Sequence, residues 1–140
     1  MSTVTAHTLL HIGIPVNDPM RARDFYVDVL GLKVSREPDG PDAPLVRLYC
    51  GDSPTPGQQV VLFKRPQPLQ RDAVAQDGHT HHAFVVAPEE FDVALERFQE
   101  LGILHSGPII RGERDGHPHR TLYFFDPDGN YLQLGDSAEE

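Results

Sequence analysis

Cysteine is almost missing from this sequence: Cys50 is the only one in 140 residues. A single cysteine excludes an intrachain disulfide and any multi-cysteine zinc or iron–sulfur site. Cys50 itself reads as a small buried apolar residue. Long apolar runs are also absent, and none approaches the roughly 18 residues of a membrane-crossing helix. The opening MSTVTAH has neither a basic stretch nor an apolar core of the kind that directs secretion. The cytoplasm is therefore the expected location. Positive charge is scarce, with 12 Lys and Arg against 21 Asp and Glu and a formal net charge of −9. That balance repels phosphate backbones and anionic lipid, so neither nucleic acid nor a membrane is an expected partner.

What is present is an ordinary globular composition, 39% hydrophobic and 24% charged, on a length that suits one compact domain. Histidine is the exception. Eight histidines beside one cysteine turn attention to imidazole chemistry.

The same pattern occurs twice. An apolar run over Leu9 to Val16 leads through Asn17-Asp18-Pro19 into a helical pattern with Ala22, Phe25, Tyr26 and Val29 on one face, ended by Gly31. A second run, His81 to Val86, leads through Ala87-Pro88-Glu89 into a helix with Phe91, Ala94, Leu95 and Phe98 at the same spacing, ended by Gly102. This is the signature of an internal duplication. Short β-like stretches follow each helix: Leu32 to Ser35, Leu45 to Cys50 and Gln59 to Phe63, then Ile103 to His105, Arg120 to Phe125 and Tyr131 to Leu134. Each half reads as βαβββ. Breaker-rich Glu37 to Pro44 and Asp52 to Gly57 read as loops, and charged Arg111 to His119 as a solvated loop or lid. The expected organisation is one domain over 1–140, with a first module at about 8–64, a linker at about 65–78 and a second module at about 79–135. Neither half is large enough for a core of its own, so the halves are expected to share one. Their remaining sheet faces then enclose a cavity, within one chain or across a dimer.

Strand alternation sorts the faces. Leu10, Ile12, Ile14 and Val16 form the bulky face of the first run; His11, Gly13 and Pro15 form the other. In the second run, His81 lies with Ala83 and Val85. Each half thus places a histidine at the head of a face with Gly or Ala two residues on, where a ligand has room. Asp126-Pro127-Asp128-Gly129-Asn130 is a turn sequence, and symmetric pairing about Asp128 sets Tyr123 opposite Gln133. Leu122, Phe124, Leu132 and Leu134 then make the apolar face. Arg47 and Tyr49 alternate against Val46, Leu48 and Cys50, so they too point toward the cavity, or form a cross-strand surface pair. The histidines at 79, 82, 105, 117 and 119 read as surface or loop residues.

Leu10-His11-Ile12-Gly13-Ile14-Pro15-Val16-Asn17-Asp18, Phe25-Tyr26 and Leu30-Gly31 resemble the opening module of the vicinal oxygen chelate superfamily. That superfamily includes glyoxalase I, extradiol dioxygenases and the fosfomycin- and bleomycin-resistance proteins. His81-His82-Ala83-Phe84 and the stretch from Tyr123 to Gln133 resemble its closing module. The resemblance implies an α+β fold of two βαβββ modules forming a curved mixed sheet around a cavity. It further implies a divalent metal ion (iron, manganese, nickel, cobalt or zinc) held at His11, His81 and Gln133. Gln133 stands where a glutamate is expected; an amide keeps an oxygen donor but loses a charge, which weakens the hold on a hard ion. Tyr123 corresponds to a substrate-contacting tyrosine, with Arg47 and Tyr49 as further substrate-binding residues. Gly13 replaces the threonine of the fosfomycin enzymes, and the chain ends soon after Gln133, which disfavours that chemistry. The implied activity is that of a homodimeric, metal-dependent enzyme, a glyoxalase-like lyase or isomerase or a dioxygenase, acting on a small molecule with vicinal oxygens. The competing implication is a metal-free, bleomycin-resistance-type binding protein.

Overall fold

The computed structural model describes residues 4–66 and 81–137. Most of the expected linker at 65–78, together with His79, lies outside the described residues. The chain divides into two compact units, residues 1–69 and 70–140.

The first unit runs β1 (His11–Val16), α1 (Pro19–Asp28), β2 (Lys33–Arg36), β3 (Leu45–Tyr49) and β4 (Gln59–Lys64). The second repeats the order with β5 (His82–Val85), α2 (Pro88–Glu100), β6 (His105–Arg111), β7 (His119–Phe125) and β8 (Tyr131–Gly135). Each unit carries a four-stranded mixed sheet, ordered β1-β4-β3-β2 and β5-β8-β7-β6. In both, the first and last strands pair in parallel and the remaining pairs are antiparallel. This is the two-module α+β fold that the duplicated pattern implies.

Local chemistry explains the helix limits. The Asp18 carboxylate accepts from the backbone N–H groups of Met20 and Arg21 and caps α1, with Pro19 in the first turn. Ala87 has no capping side chain, but its N–H donates to Glu90, and acidic Glu89 and Glu90 favour the positive end of α2. Gly31 and Gly102, at φ +71° and +68°, turn the chain out of each helix.

Each sheet buries one face under its own helix. In the first unit Ile14, Val16, Val46, Leu48, Val60 and Leu62 are buried with Ala22 and Tyr26 of α1. In the second, Leu122, Phe124, Leu132 and Leu134 are buried with Phe91 and Phe98 of α2, and the rings of Phe98 and Phe124 meet at 4.7 Å.

Three sequence expectations are corrected. Leu10 is 58% exposed and precedes β1, because pairing with β4 begins only at His11. β6 is seven residues long and reaches Arg111, since a bulge between Ser106 and Ile109 absorbs Gly107-Pro108 and pairing with β7 resumes beyond it. His119 is a buried strand residue rather than a surface one, its Nδ1 3.0 Å from the carbonyl of His117.

Candidate functional site

In each module the face of the sheet turned away from its helix carries the candidate site residues. In the first module the registers align His11 with Gln59, Gln59 with Tyr49, and Tyr49 with Lys33. The next row on that face is Gly13, Val61 and Arg47. His11 and Arg47 are exposed and Tyr49 is half-buried. The Lys33 ammonium lies 6.0 Å from the Tyr49 ring centroid and donates to the Gly51 carbonyl at 2.8 Å. Space above Gly13 is narrower than expected: a Cβ there would sit 3.3 Å from the Phe63 ring.

In the second module the registers place Ala83 against Gln133 and Gln133 against Tyr123, as the symmetric turn requires. Asp126 holds that turn. Its carboxylate accepts from the backbone N–H groups of Asp128 and Asn130 and from the Asn130 amide, all within 2.9 Å. His81 immediately precedes β5 and is exposed. Its ring meets Tyr123 at 6.3 Å and Tyr131 at 6.0 Å between centroids, both edge-on. Tyr123 and Tyr131 stack at 5.6 Å with only 12° between their planes. The structure thus brings His81, Tyr123 and Gln133 together on one face, as expected, and gives His11, Arg47 and Tyr49 a common face in the other module.

Three further residues on the second module's face were not identified from the sequence. Arg111 donates to the Tyr123 hydroxyl at 3.2 Å, and its guanidinium lies 5.9 Å from that ring's centroid. Tyr131 supplies the stacking partner. Thr121 is 1% exposed, and its Oγ1 has no hydrogen-bond partner among the described residues. Gln133 is 6% exposed and makes no side-chain hydrogen bond among the described residues, but its amide is not fully cut off from solvent as the Thr121 hydroxyl is. An unpaired buried polar group costs about 1–3 kcal/mol, a cost this face carries at the Thr121 hydroxyl.

Burial and the adjacent His81 hold the pKa of His82 below its ordinary value of 6.5, against an opposing pull from Asp126. Burial, with a contribution from Tyr123, pushes the Tyr131 phenol up.

A sequence profile of the glyoxalase/bleomycin resistance protein/dioxygenase superfamily matches residues 8–134. The chain belongs to this superfamily. It is 25% identical over 127 residues to glutathione transferase FosA of Serratia marcescens, covering 91% of this chain and 79% of that protein. It is 30% identical over 131 residues to the putative ring-cleaving dioxygenase MhqA of Bacillus subtilis, covering 92% of this chain but only 40% of that longer protein. Among solved structures, a glyoxalase/dioxygenase from Nostoc punctiforme superposes with a TM-score of 0.69 at 24% identity, over 96% of this chain and 97% of that one.

Superfamily membership raises the question of a divalent ion. Among the described residues, no three His, Cys, Asp or Glu side chains form a metal-binding group. The donors on the open faces are imidazoles and one amide: His81 and Gln133 in the second module and His11 in the first. Within the second module, the Gln133 amide oxygen and the His81 ring are donors of a kind that suits a borderline divalent metal, with no carboxylate on the described strand positions of that face. No described helix is long and apolar enough to cross a membrane.

Proposed function

We propose that this superfamily member is a metal-dependent enzyme, working as a homodimer on a small molecule with two neighbouring oxygens. His11, His81 and Gln133 are the ligands in this reading, and Tyr123, Arg47 and Tyr49 contact the substrate. The observation that carries it is the matching placement of His11 and His81 at the head of the open face in each module, with the nearly buried, unpartnered Gln133 amide on the face of His81.

When bound, a divalent ion supplies Lewis-acid stabilisation of charge developing on chelated oxygens. The remaining work belongs to the side chains. The Tyr123 hydroxyl accepts from Arg111, which leaves its own O–H to donate to a substrate oxygen. Stacking on Tyr131 holds the Tyr123 ring in place. Acids are missing from the described strand positions of both open faces. Proton transfer therefore falls to Tyr123 or a histidine, and glyoxalase chemistry based on a carboxylate base is disfavoured.

Gln133 also favours the second reading, a metal-free binding protein, because it lacks the charge that a tight site uses. Titrating chelator-stripped protein with manganese and nickel separates the two. Gln133→Glu is expected to tighten binding by about tenfold or more, equivalent to ~1.4 kcal/mol, while His11→Ala and His81→Ala abolish it. Unchanged affinity in Gln133→Glu, or binding that survives both alanine variants, would overturn the ligand assignment.

A further inference from the structure

A cleft of about 170 Å³ opens beside β2 and β3, lined by Arg36, Arg47, Pro44 and Leu45, with Glu37 and Asp39 contributed by the loop after β2. Its two arginines are there because of an irregularity in strand pairing. The β2–β3 register runs Lys33 to Tyr49 and Val34 to Leu48, then slips so that Arg36, not Ser35, opposes Arg47. Without the slip, Arg36 would oppose Val46, which is 1% exposed on the helix-covered face. The bulge instead turns Arg36 onto the open face, and the Ser35 hydroxyl pins it by donating to the Arg47 carbonyl at 3.1 Å. Bulges re-aim side chains in this way beside binding sites.

The result is two arginines directly across a strand pair, a like-charge pairing that is unfavourable. Neither side chain has an ion pair or hydrogen bond among the described residues, although the chain carries 21 acidic residues against 12 basic ones. Two unpaired guanidinium forks at one cleft match an oxyanion, which they can grip through parallel N–H···O bonds.

We infer that the Arg36–Arg47 cleft is a binding site for the single oxyanion group, carboxylate or phosphoryl, of a small molecule. The volume equals about five or six waters, enough for such a group and a few attached atoms. Glu37 and Asp39 oppose a second negative charge, so the rest of the ligand is neutral or cationic. Arg47 is shared with the substrate contacts proposed above, but the test does not depend on a metal: its probes are bare anions offered to chelator-treated protein, so failure here leaves the metal reading intact.

The test is NMR titration of the full 15N-labelled chain with acetate and, separately, inorganic phosphate, at constant ionic strength with chloride as control. Saturable millimolar shifts of the Arg36 and Arg47 Nε–Hε signals are expected. The anion that saturates at lower concentration identifies the head group. Arg36→Gln and Arg47→Gln should each weaken binding by about fivefold or more, and Asp39→Asn should tighten it. Arg36→Gln should leave the melting temperature in chloride unchanged or raised, because it removes repulsion. Shifts that track chloride, affinity unaltered in Arg36→Gln, or a melting temperature lowered by several degrees in that variant would overturn the inference.

Discussion

Replacing Arg120 with Met tests how the second module holds the strand that carries Tyr123. Arg120 lies on β7, next to Thr121 and three residues before Tyr123, and it clips that strand to β8 and α2. Its backbone N–H and Nε donate to the two Asp136 oxygens at 2.7 and 2.8 Å, Nη1 reaches Asp92 at 2.6 Å and Nη2 reaches the Pro88 carbonyl at 2.9 Å. The guanidinium also sits 4.5 Å from the Phe91 ring centroid. Asp136 is 10% exposed, so the charge-assisted bond that Arg120→Met removes there contributes about 1.5–3 kcal/mol. Asp92 is 66% exposed, and solvent limits that pair to about 0.5 kcal/mol at most. The ring contact adds about 1 kcal/mol. A loss of about 3 kcal/mol follows, or roughly 10 °C in melting temperature for a chain of this length. Burial pushes the Asp136 carboxyl up, but its bonds with Arg120 outweigh this and hold it below the ordinary value of 3.8. A depressed folded pKa adds stability that is fully present above the unfolded value and fades as pH falls through the folded one. The deficit of Arg120→Met should therefore be constant from about pH 5 to 8 and shrink below about pH 3.8. Urea unfolding across that range reads it directly. A variant within about 1 kcal/mol of the parent at pH 7, or a deficit that grows in acid, would refute the reasoning.

Gly112 has φ +76°, and a Cβ there would collide with the His117 carbonyl and press on His119 Nδ1 at 3.0 Å. Gly112→Ala should cost about 2 kcal/mol or more by thermal melting, and a neutral result would show that the β6–β7 loop can take another path. Burial pushes the Cys50 thiol above its ordinary value of 9.0, so alkylation by iodoacetamide at pH 8 should be several-fold slower than for N-acetylcysteine. Equal rates would contradict that burial.

Much of the fold was legible because two short-range signals agreed. The repeated helix pattern closed by Gly31 and Gly102 marked the duplication, and period-two alternation sorted the strand faces. The turn after Asp126 even set a register, so Tyr123 opposite Gln133 followed from sequence symmetry alone. Bulges were not legible, and they account for the main omissions. One at Ser35 turns Arg36 onto the open face, and another around Gly107-Pro108 extends β6 to Arg111. Gly-Pro reads as a chain break in sequence, whereas here pairing resumes beyond it. Arg111 therefore read as part of a solvated loop, while in the fold it donates to Tyr123. The burial of His119 and the ring of Phe63 beside Gly13 depend on contacts across strands, which alternation along one strand does not encode.

Elemental analysis of untagged protein purified without chelators tests the central claim most directly, carried out in parallel on His81→Ala. The account predicts near-stoichiometric divalent metal in the parent chain, and its loss from a His81→Ala variant that still folds. Parent protein that carries no metal, and takes up none from iron, manganese, nickel, cobalt or zinc, would contradict it and leave a ligand-binding protein in its place.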